Sequence, residues 1–330
     1  MSSPAIFGET CPYEEARIII IPVPWDVTAS YSRGTSQGPQ HICDASSQLD
    51  FFDMVYGTPL EHGIHMLPIP QQWVQKNNLL APKAQLLQNK FDYDIPYDHH
   101  DLLLLNQINQ ACTELHAWVS QETSNALNAN KFPVLIGGDH STPLGLIHTL
   151  SEHIRFGILH IDAHADLREA YQGFLYSHAS IMHNVLNLVH PPQNLVQVGI
   201  RDFCIEEFHE IQHNPNIHPF FAPDIHNRLF SGETWANICA EICDVLPDNI
   251  YISFDIDGLS PLYCPGTGTP VPGGLSYDQI RFLFNQLAIR KKNVVGFDIN
   301  EVAPSPHGQW DGNVGARLLY QMIGLLLHNK

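Results

Sequence analysis

Two acidic motifs stand at the ends of hydrophobic, strand-like runs and contain residue types that bind metal ions. Their candidate ligands are Asp162, His164 and Asp166 in the first motif and Asp255 and Asp257 in the second. Side chains two positions apart along an extended chain point to the same side, so the members of each motif can converge. Carboxylates gathered without a cation would repel one another, and the motifs therefore predict a metal site.

A third hydrophobic run ends in Gly137-Gly138-Asp139-His140 and adds an imidazole to this set. With His140 there are two imidazoles and four carboxylates, whose four negative charges balance two divalent cations. A nitrogen and oxygen ligand set without thiolates suits Mn²⁺, and Ni²⁺ or Co²⁺ could also occupy it. We expect Asp139 to cap the turn or to orient a ligand from behind.

Short apolar runs rich in β-branched residues precede these motifs and recur along the chain. They cover residues 17–22, 132–136, 156–161, 195–200, 249–254 and 293–297. Such runs are typical of strands buried on both faces of a parallel sheet. Helical spacing of apolar residues lies between them, at 105–119, 234–245, 277–288 and 314–327. The alternation predicts an α/β fold of βαβ units, in which ligands bind beyond the carboxyl ends of the strands.

The segment 57–100 fits this alternation poorly, because it is rich in Pro, Gln and Asn. We interpret it as a long loop excursion or lid, since long loops of this kind often have a functional role. The sequence contains no internal repeat. We therefore expect residues 1–330 to form one domain with a loop excursion around 57–100.

Composition limits the classes of partner. Sixteen basic and 34 acidic residues give a net charge of −18, which disfavours nucleic acid and anionic membranes and favours a cationic substrate. The seven cysteines are scattered without a Cys-X-X-Cys pair, so we expect no disulfide framework. No leader-like start or long apolar stretch is evident. These features predict a soluble cytoplasmic protein.

The motifs together resemble those of the arginase/agmatinase family of ureohydrolases. The resemblance rests on residues 137–141 (GGDHS), 162–166 (DAHAD), 253–261 (SFDIDGLSP), 265–270 (PGTGTP) and 273–276 (GGLS). It extends from about residue 18 to the C-terminus and excludes the 57–100 segment. It implies a three-layer α-β-α sandwich with a mainly parallel sheet of about eight strands, as in arginases and deacetylases. A trimeric or hexameric homo-oligomer is also implied.

The resemblance further implies a centre of two Mn²⁺ ions with bridging carboxylates. The first ion would be held by His140, Asp162, Asp166 and Asp255, and the second by Asp162, His164, Asp255 and Asp257. Water between the ions would become the nucleophile, and Asp166 would orient it. Glu301 matches the Glu of the family that binds a guanidinium group. His178 matches its proton-shuttle histidine, although Ala179 stands where many relatives have Gly.

The substrate is expected to be a small cationic guanidino compound, with agmatine, which yields putrescine, as the leading candidate. Arginases typically have an Asp that helps to hold the α-amino group at the position of Cys204, and residues 168–171 differ from the loop with which arginases grip an α-carboxylate. Both departures favour a substrate without an amino-acid head. Guanidinobutyrate, guanidine, arginine and formiminoglutamate remain alternatives. A non-catalytic binding relative and a single-zinc deacetylase are further alternatives from other classes.

Overall fold

Eight parallel strands form one sheet in the computed structural model, which describes residues 3–328. The strands are β1 (Ile18–Pro22), β2 (Ile64–Met66), β3 (Phe132–Ile136), β4 (Gly157–Ile161), β5 (Leu195–Val198), β6 (Ile217–Phe220), β7 (Asn249–Asp255) and β8 (Asn293–Asn300). Their order across the sheet is β2-β1-β3-β8-β7-β4-β5-β6. Every strand pair is parallel. The predicted α/β fold with a mainly parallel sheet is confirmed.

Ten α-helices connect or flank the strands within the described residues. They are α1 (Gly38–Ser46), α2 (Gln71–Asp92), α3 (His99–Asn128), α4 (Leu144–His153), α5 (Ile181–Leu186), α6 (Ile205–His213), α7 (Ala222–Phe230), α8 (Trp235–Val245), α9 (Tyr277–Ile289) and α10 (Trp310–His328). None of the helices in residues 3–328 is both long and apolar enough to cross a lipid bilayer.

Side chains alternate between the two faces of the sheet, and each face has its own core. In β3, Val134 and Ile136 belong to the core formed with α1 and α7–α10, whereas Leu135 belongs to the core formed with α2–α6. Burying each such side chain stabilises the fold by about 1.5–3 kcal/mol. Two cores on opposite faces of one sheet make the three-layer arrangement that the family resemblance implied.

The segment 57–100 is not the loop that we expected, because α2 occupies most of its second half. One face of α2 is buried through Trp73, Leu80 and Leu87, which recur every seven residues, so the helix packs against the body of the protein. Gln, Asn and an internal Pro82 hide this spacing in the sequence. The expectation of a loop is therefore wrong for residues 71–92.

The sheet order explains how distant motifs meet. The strands β3, β8, β7 and β4 are consecutive neighbours, and each ends in one of the motifs singled out from the sequence. His140 follows β3, Glu301 follows β8, Asp255 ends β7 and Asp162 follows β4. Parallel neighbours end at the same edge of the sheet, so these four side chains come together there.

Candidate active site

The first cluster surrounds the imidazole of His140. Its Nδ1 lies 3.0 Å from Asp162 Oδ2, 3.3 Å from Asp166 Oδ2 and 3.3 Å from Asp255 Oδ2. All four side chains are buried. The structure therefore brings together the four residues that were assigned to the first metal ion.

The second cluster shares Asp162 with the first. His164 Nδ1 lies 3.4 Å from Asp162 Oδ1 and 3.2 Å from Asp257 Oδ2. Backbone amides fix both carboxylates, since the N–H of His164 donates to Asp162 Oδ1 at 2.6 Å and that of Ala163 donates to Asp257 Oδ1 at 3.1 Å. The amide of Asp257 in turn donates to Asp255 Oδ1 at 2.8 Å, which links Asp255 to this cluster.

Hydrogen bonding around His140 favours a cation between these side chains. The hydroxyl of Ser253 donates to Asp298 Oδ1 at 3.0 Å and accepts from His140 Nε2 at 2.9 Å. In the neutral imidazole, Nδ1 is then the nitrogen without a proton, and it faces three carboxylates. Ligand atoms about 3 Å apart are what adjacent positions around an ion with bonds of about 2.1 Å require. The residues present therefore fit divalent metal ions.

The charges in the clusters perturb one another strongly. Burial by itself lowers the pKa of His140, but the carboxylates of Asp162, Asp166 and Asp255 outweigh it and hold that pKa well above its ordinary value. Burial, together with the charges of Asp257 and Asp162, raises the pKa of Asp255 well above its usual range. A proton or a metal ion is thus needed among these groups, and a bound cation would relieve the same repulsion.

His160 is a part of the site that the sequence reasoning missed. Its Nε2 donates to Asp162 Oδ2 at 2.8 Å, and its Nδ1 accepts from the amide of Gln197 at 3.0 Å. The same amide nitrogen donates to the carbonyl of Ala165 at 2.8 Å, which fixes its orientation. The available signal was position, because His160 precedes Asp162 by two residues and therefore shares its side of β4.

Ser253 and Asp298 were missed as well. Besides Ser253, the hydroxyl of Tyr251 donates to Asp298, at 2.6 Å to Oδ2, and all three side chains are fully buried. Asp139 caps its turn, one of the two roles that we expected, since the backbone N–H of Ser141 donates to its Oδ1 at 3.1 Å. It accepts from the hydroxyls of Ser141 at 2.5 Å and Thr28 at 2.8 Å. Burial and the nearby charge of Glu301 raise the pKa of Asp139 to about 6.

Glu301 and His178 lie together beside the first cluster. Glu301 Oε1 accepts from the backbone N–H of His140 at 3.0 Å and lies 3.5 Å from His178 Nδ1, while His178 Nε2 is 2.9 Å from Ser30 Oγ. Burial lowers the pKa of His178, but the hydrogen bond and charge of Glu301 outweigh it, so the net shift is upward. Glu301 thus favours the protonated form of the His178 imidazole.

The second carboxylate oxygen of Glu301 is free. Glu301 is 1% exposed, and its Oε2 has no hydrogen-bond partner among the described residues. A Cβ atom at Gly268 would come within 2.8 Å of that oxygen, so the absence of a side chain keeps the space in front of it open. A buried carboxylate oxygen without a donor is costly, and a cationic donor would satisfy it.

Two of the site residues have strained backbones. Asp166 has φ +55° and Glu301 has φ +64°, in the left-handed region that non-glycine residues rarely adopt. The carbonyl of Asp166 accepts from the amides of Met182 and His183 at 3.0 and 3.1 Å, which holds that turn in place. Such strain persists where surrounding contacts over-determine the conformation, and it is often found at functional sites.

A cavity of about 300 Å³ lies over the clusters. Its inner end is lined by His164, Asp166, His178 and Asp255. Its outer wall includes the charged side chains Asp92, Arg168, Asp202 and Glu207. The cavity therefore has residues of the two clusters and His178 at its inner end and further charged side chains along its outer wall.

Comparisons with known proteins agree with the resemblance. The family model described as the arginase family matches residues 16–324. N(1)-aminopropylagmatine ureohydrolase of Thermus thermophilus is 36% identical over 325 residues, covering 97% of this chain and 94% of that protein. Agmatinase of Bacillus cereus is 27% identical over 297 residues, covering 88% of this chain and 85% of that protein. The crystal structure of agmatine ureohydrolase from Thermoplasma volcanium has a TM-score of 0.73 at 26% identity. The match covers 99% of this chain and 95% of that one. The chain therefore belongs to the arginase family, hydrolases that act on guanidino carbon–nitrogen bonds.

Proposed function

We propose that this protein hydrolyses a linear guanidino compound to urea and an amine at a centre of two Mn²⁺ ions. The observation that supports it most is the free Oε2 of Glu301, a buried acceptor beside His178 and the His140 cluster. A guanidinium group is planar and donates in a fork, which suits a carboxylate. The pairing would place its carbon near the metal ligands.

The ligand sets follow the two clusters. His140, Asp162, Asp166 and Asp255 would hold one ion, and Asp162, His164, Asp255 and Asp257 the other, with Ni²⁺ or Co²⁺ as possible substitutes. Two such ions, when bound, would lower the pKa of water and so make a nucleophile available at neutral pH.

Three side chains would handle the reactants. Glu301 binds and orients the guanidinium through Oε2. Asp166, held in its strained turn, would accept a hydrogen bond from the attacking water and orient it. His178 Nδ1 faces Glu301 at 3.5 Å, so it is placed to give a proton to the leaving amine. Glu301 raises the pKa of His178 and so favours the protonated form that this role requires.

Agmatine remains the leading substrate, because the site lacks the sequence features with which arginases hold an amino-acid head. A second candidate is agmatine extended by an aminopropyl group, which is favoured by the 36% identical relative from Thermus thermophilus. Arginine, guanidinobutyrate, guanidine and formiminoglutamate are the competing substrates. A trimeric or hexameric assembly in the cytoplasm stays part of the proposal.

A product assay after Mn²⁺ loading tests the reaction. Agmatine, N(1)-aminopropylagmatine, arginine, 4-guanidinobutyrate and guanidine are assayed for urea, and formiminoglutamate for formamide. We expect urea from one or both of the first two compounds and much less from the others. The absence of urea from every guanidino compound would overturn the proposal, and formamide release would replace it with formiminoglutamate hydrolysis.

The variant Glu301→Gln tests the role of the carboxylate. The amide oxygen can still accept from the His140 N–H, so the fold is retained while the charge is lost. Losing a buried charged pair corresponds to about 2–5 kcal/mol, and we expect kcat/KM to fall at least about 30-fold with metal stoichiometry unchanged. Glu152→Gln on the exposed side of α4 is the control. An active Glu301→Gln enzyme would contradict the assignment.

A further inference from the structure

The outer wall of the cavity contains a carboxylate that the proposed chemistry does not use. We propose that Asp92 binds the distal ammonium group of an aminopropyl-extended guanidino substrate, and that Gln172 is the positioning residue that holds Asp92 in place. The inference rests on the proposed function, because it assigns the far end of the same substrate.

Asp92 is the last residue of α2 and lines the cavity. Its Oδ1 accepts from Gln172 Nε2 at 2.9 Å. Its Oδ2 has neither a hydrogen bond nor an ion pair within residues 3–328, and the side chain is exposed. One oxygen is thus fixed by the protein, and the other is left for a ligand.

Gln172 is built into the wall rather than placed on its surface. It is only 3% exposed and has φ +51°, a conformation that is costly for a glutamine. Its carbonyl lies 3.2 Å from the hydroxyl of Tyr97, which also lies 3.0 Å from the carbonyl of Leu87 in α2. Its Oε1 has no partner among the described side chains and backbone groups. The positive φ belongs to the two-residue turn between Tyr171 and Phe174, so the inference rests on the burial of Gln172 and on its hydrogen bond to Asp92.

The charges of the outer wall favour a cationic tail. Arg168 lies 3.6 Å from Glu207 and stacks over the ring of Tyr171 at 4.6 Å, so its charge is already balanced. Asp202 faces His164, with 4.0 Å between Asp202 Oδ2 and His164 Nε2. Asp92 is the remaining carboxylate of the wall, and it forms no ion pair with any basic side chain among residues 3–328. An ammonium group would be attracted there, whereas the carboxylate of arginine or guanidinobutyrate would be repelled.

Glu301 and Asp92 lie at different depths, and this difference favours N(1)-aminopropylagmatine over the shorter agmatine. Glu301 is buried beside the metal ligands, whereas Asp92 is exposed at the end of α2. The cavity lining includes Tyr171, Ala179 and Phe203, whose apolar surfaces suit methylene groups. A guanidinium held by Glu301 would therefore direct a long polyamine chain along these groups toward Asp92.

Steady-state kinetics of Asp92→Asn tests the assignment. With N(1)-aminopropylagmatine we expect KM to rise about tenfold, the effect of losing one charge-assisted hydrogen bond, and kcat to change less than about twofold. With agmatine, both constants should stay within about twofold. The matched control is Asp94→Asn, which removes the same charge two residues away, outside the cavity lining.

Gln172→Asn tests the positioning role. Asparagine tolerates the positive φ of this position but is one carbon too short to reach Asp92. We expect KM for the extended substrate to rise several-fold. Its kcat, and both KM and kcat for agmatine, should stay at their wild-type values. An equal loss for both substrates in Asp92→Asn, or the same loss in Asp94→Asn, would overturn the assignment.

A binding measurement separates this inference from the proposed reaction. Spermidine, the triamine left when urea is released from the extended substrate, is titrated calorimetrically into the Mn²⁺-loaded wild-type and Asp92→Asn proteins, with putrescine as the short probe. We expect about tenfold weaker spermidine binding in the variant and unchanged putrescine binding. Spermidine binding that depends on Asp92 in a protein without turnover would support the subsite and refute the reaction. If urea is released but neither KM nor spermidine binding depends on Asp92, the reaction would be supported and the subsite refuted.

Discussion

Asp162 is the carboxylate on which both clusters depend, and its orientation is set by neutral donors as much as by charge. His160 Nε2 and the His164 N–H each donate to a different oxygen of this carboxylate. Gln197 holds the His160 ring so that Nε2 carries the proton. Groups behind metal ligands tune affinity by fixing ligand orientation.

We therefore predict that His160→Phe weakens Mn²⁺ binding about 10- to 100-fold, because the ring keeps its volume but no longer donates to Asp162. Metal affinity is measured by titration of the metal-free protein, which needs no turnover. His160→Asn, whose side chain can still donate, should recover part of the affinity, and His148→Phe on the exposed side of α4 is the control. Wild-type affinity in His160→Phe would show that Gln197 and His160 only fill the core.

The turn between β3 and α4 is the element that joins the site to its surroundings. The Asp139 N–H donates to the carbonyl of Trp25 at 2.7 Å, and the Glu301 N–H donates to the carbonyl of Gly138 at 2.8 Å. A Cβ at Gly138 would lie 1.9 Å from Trp25 O. Close backbone packing on both sides therefore requires glycine at this position.

Gly138→Ala should destabilise the protein by about 3 kcal/mol or more, because the added methyl group must displace backbone atoms. Gly232→Ala is the control for this steric effect. Gly232 has φ +94° but open space around it, so an alanine there is strained only by the backbone conformation. The latter change should cost about 1–2 kcal/mol. Urea unfolding measures both, and a Gly138→Ala protein as stable as Gly232→Ala would contradict the packing argument.

Elements with a buried, regular pattern were predictable from the sequence, and others were not. The strands next to the site have continuous apolar runs, and their predicted positions agree with β3, β4, β7 and β8 to within three residues. The short edge strands β2 and β6 were missed, because His65, His218 and Pro219 interrupt their apolar character. The helix α2 was missed because its polar composition obscures one buried face.

The candidate ligands were predictable for a related reason. They lie in short motifs directly at strand ends, and the parallel sheet brings those ends together without further information. His160, Ser253 and Asp298 were not recognised, because a polar residue inside an apolar strand gives no sign of which neighbour it contacts. The contact between Asp92 and Gln172 joins residues 80 positions apart, and only the packing of α2 creates it.

At the scale of the whole molecule, the net charge of −18 agrees with the cationic substrate proposed for the site. An acidic surface raises the local concentration of a polyamine and steers it toward a carboxylate-lined cavity. This attraction acts over about 10 Å at moderate salt and adds no specificity. Discrimination between guanidino compounds must therefore come from the local contacts at Glu301 and Asp92.

Global stability should also depend on a histidine outside the site. His116 in α3 is 8% exposed, and its Nε2 lies 3.1 Å from the carbonyl of Ser141. Burial lowers the pKa of His116 to about 4, although the hydrogen bond to Ser141 opposes the shift. The unfolded chain, with a pKa of about 6.5, binds this proton more readily. The neutral side chain thus contributes stability above pH 6.5, and this contribution is lost as the pH falls through the folded-state pKa.

The shift of about 2.5 units corresponds to about 3 kcal/mol of unfolding free energy lost between pH 7 and 4. His116→Gln keeps a donor for Ser141 but cannot be protonated, so its unfolding free energy should fall by about 3 kcal/mol less over this range. Urea unfolding at pH 7, 5.5 and 4 measures the difference, in which the other titrating groups cancel. The exposed His148→Gln variant should follow the wild type. Parallel pH dependences for wild type and His116→Gln would mean that the pKa of His116 is the same in the folded and unfolded protein, so that burial does not lower it.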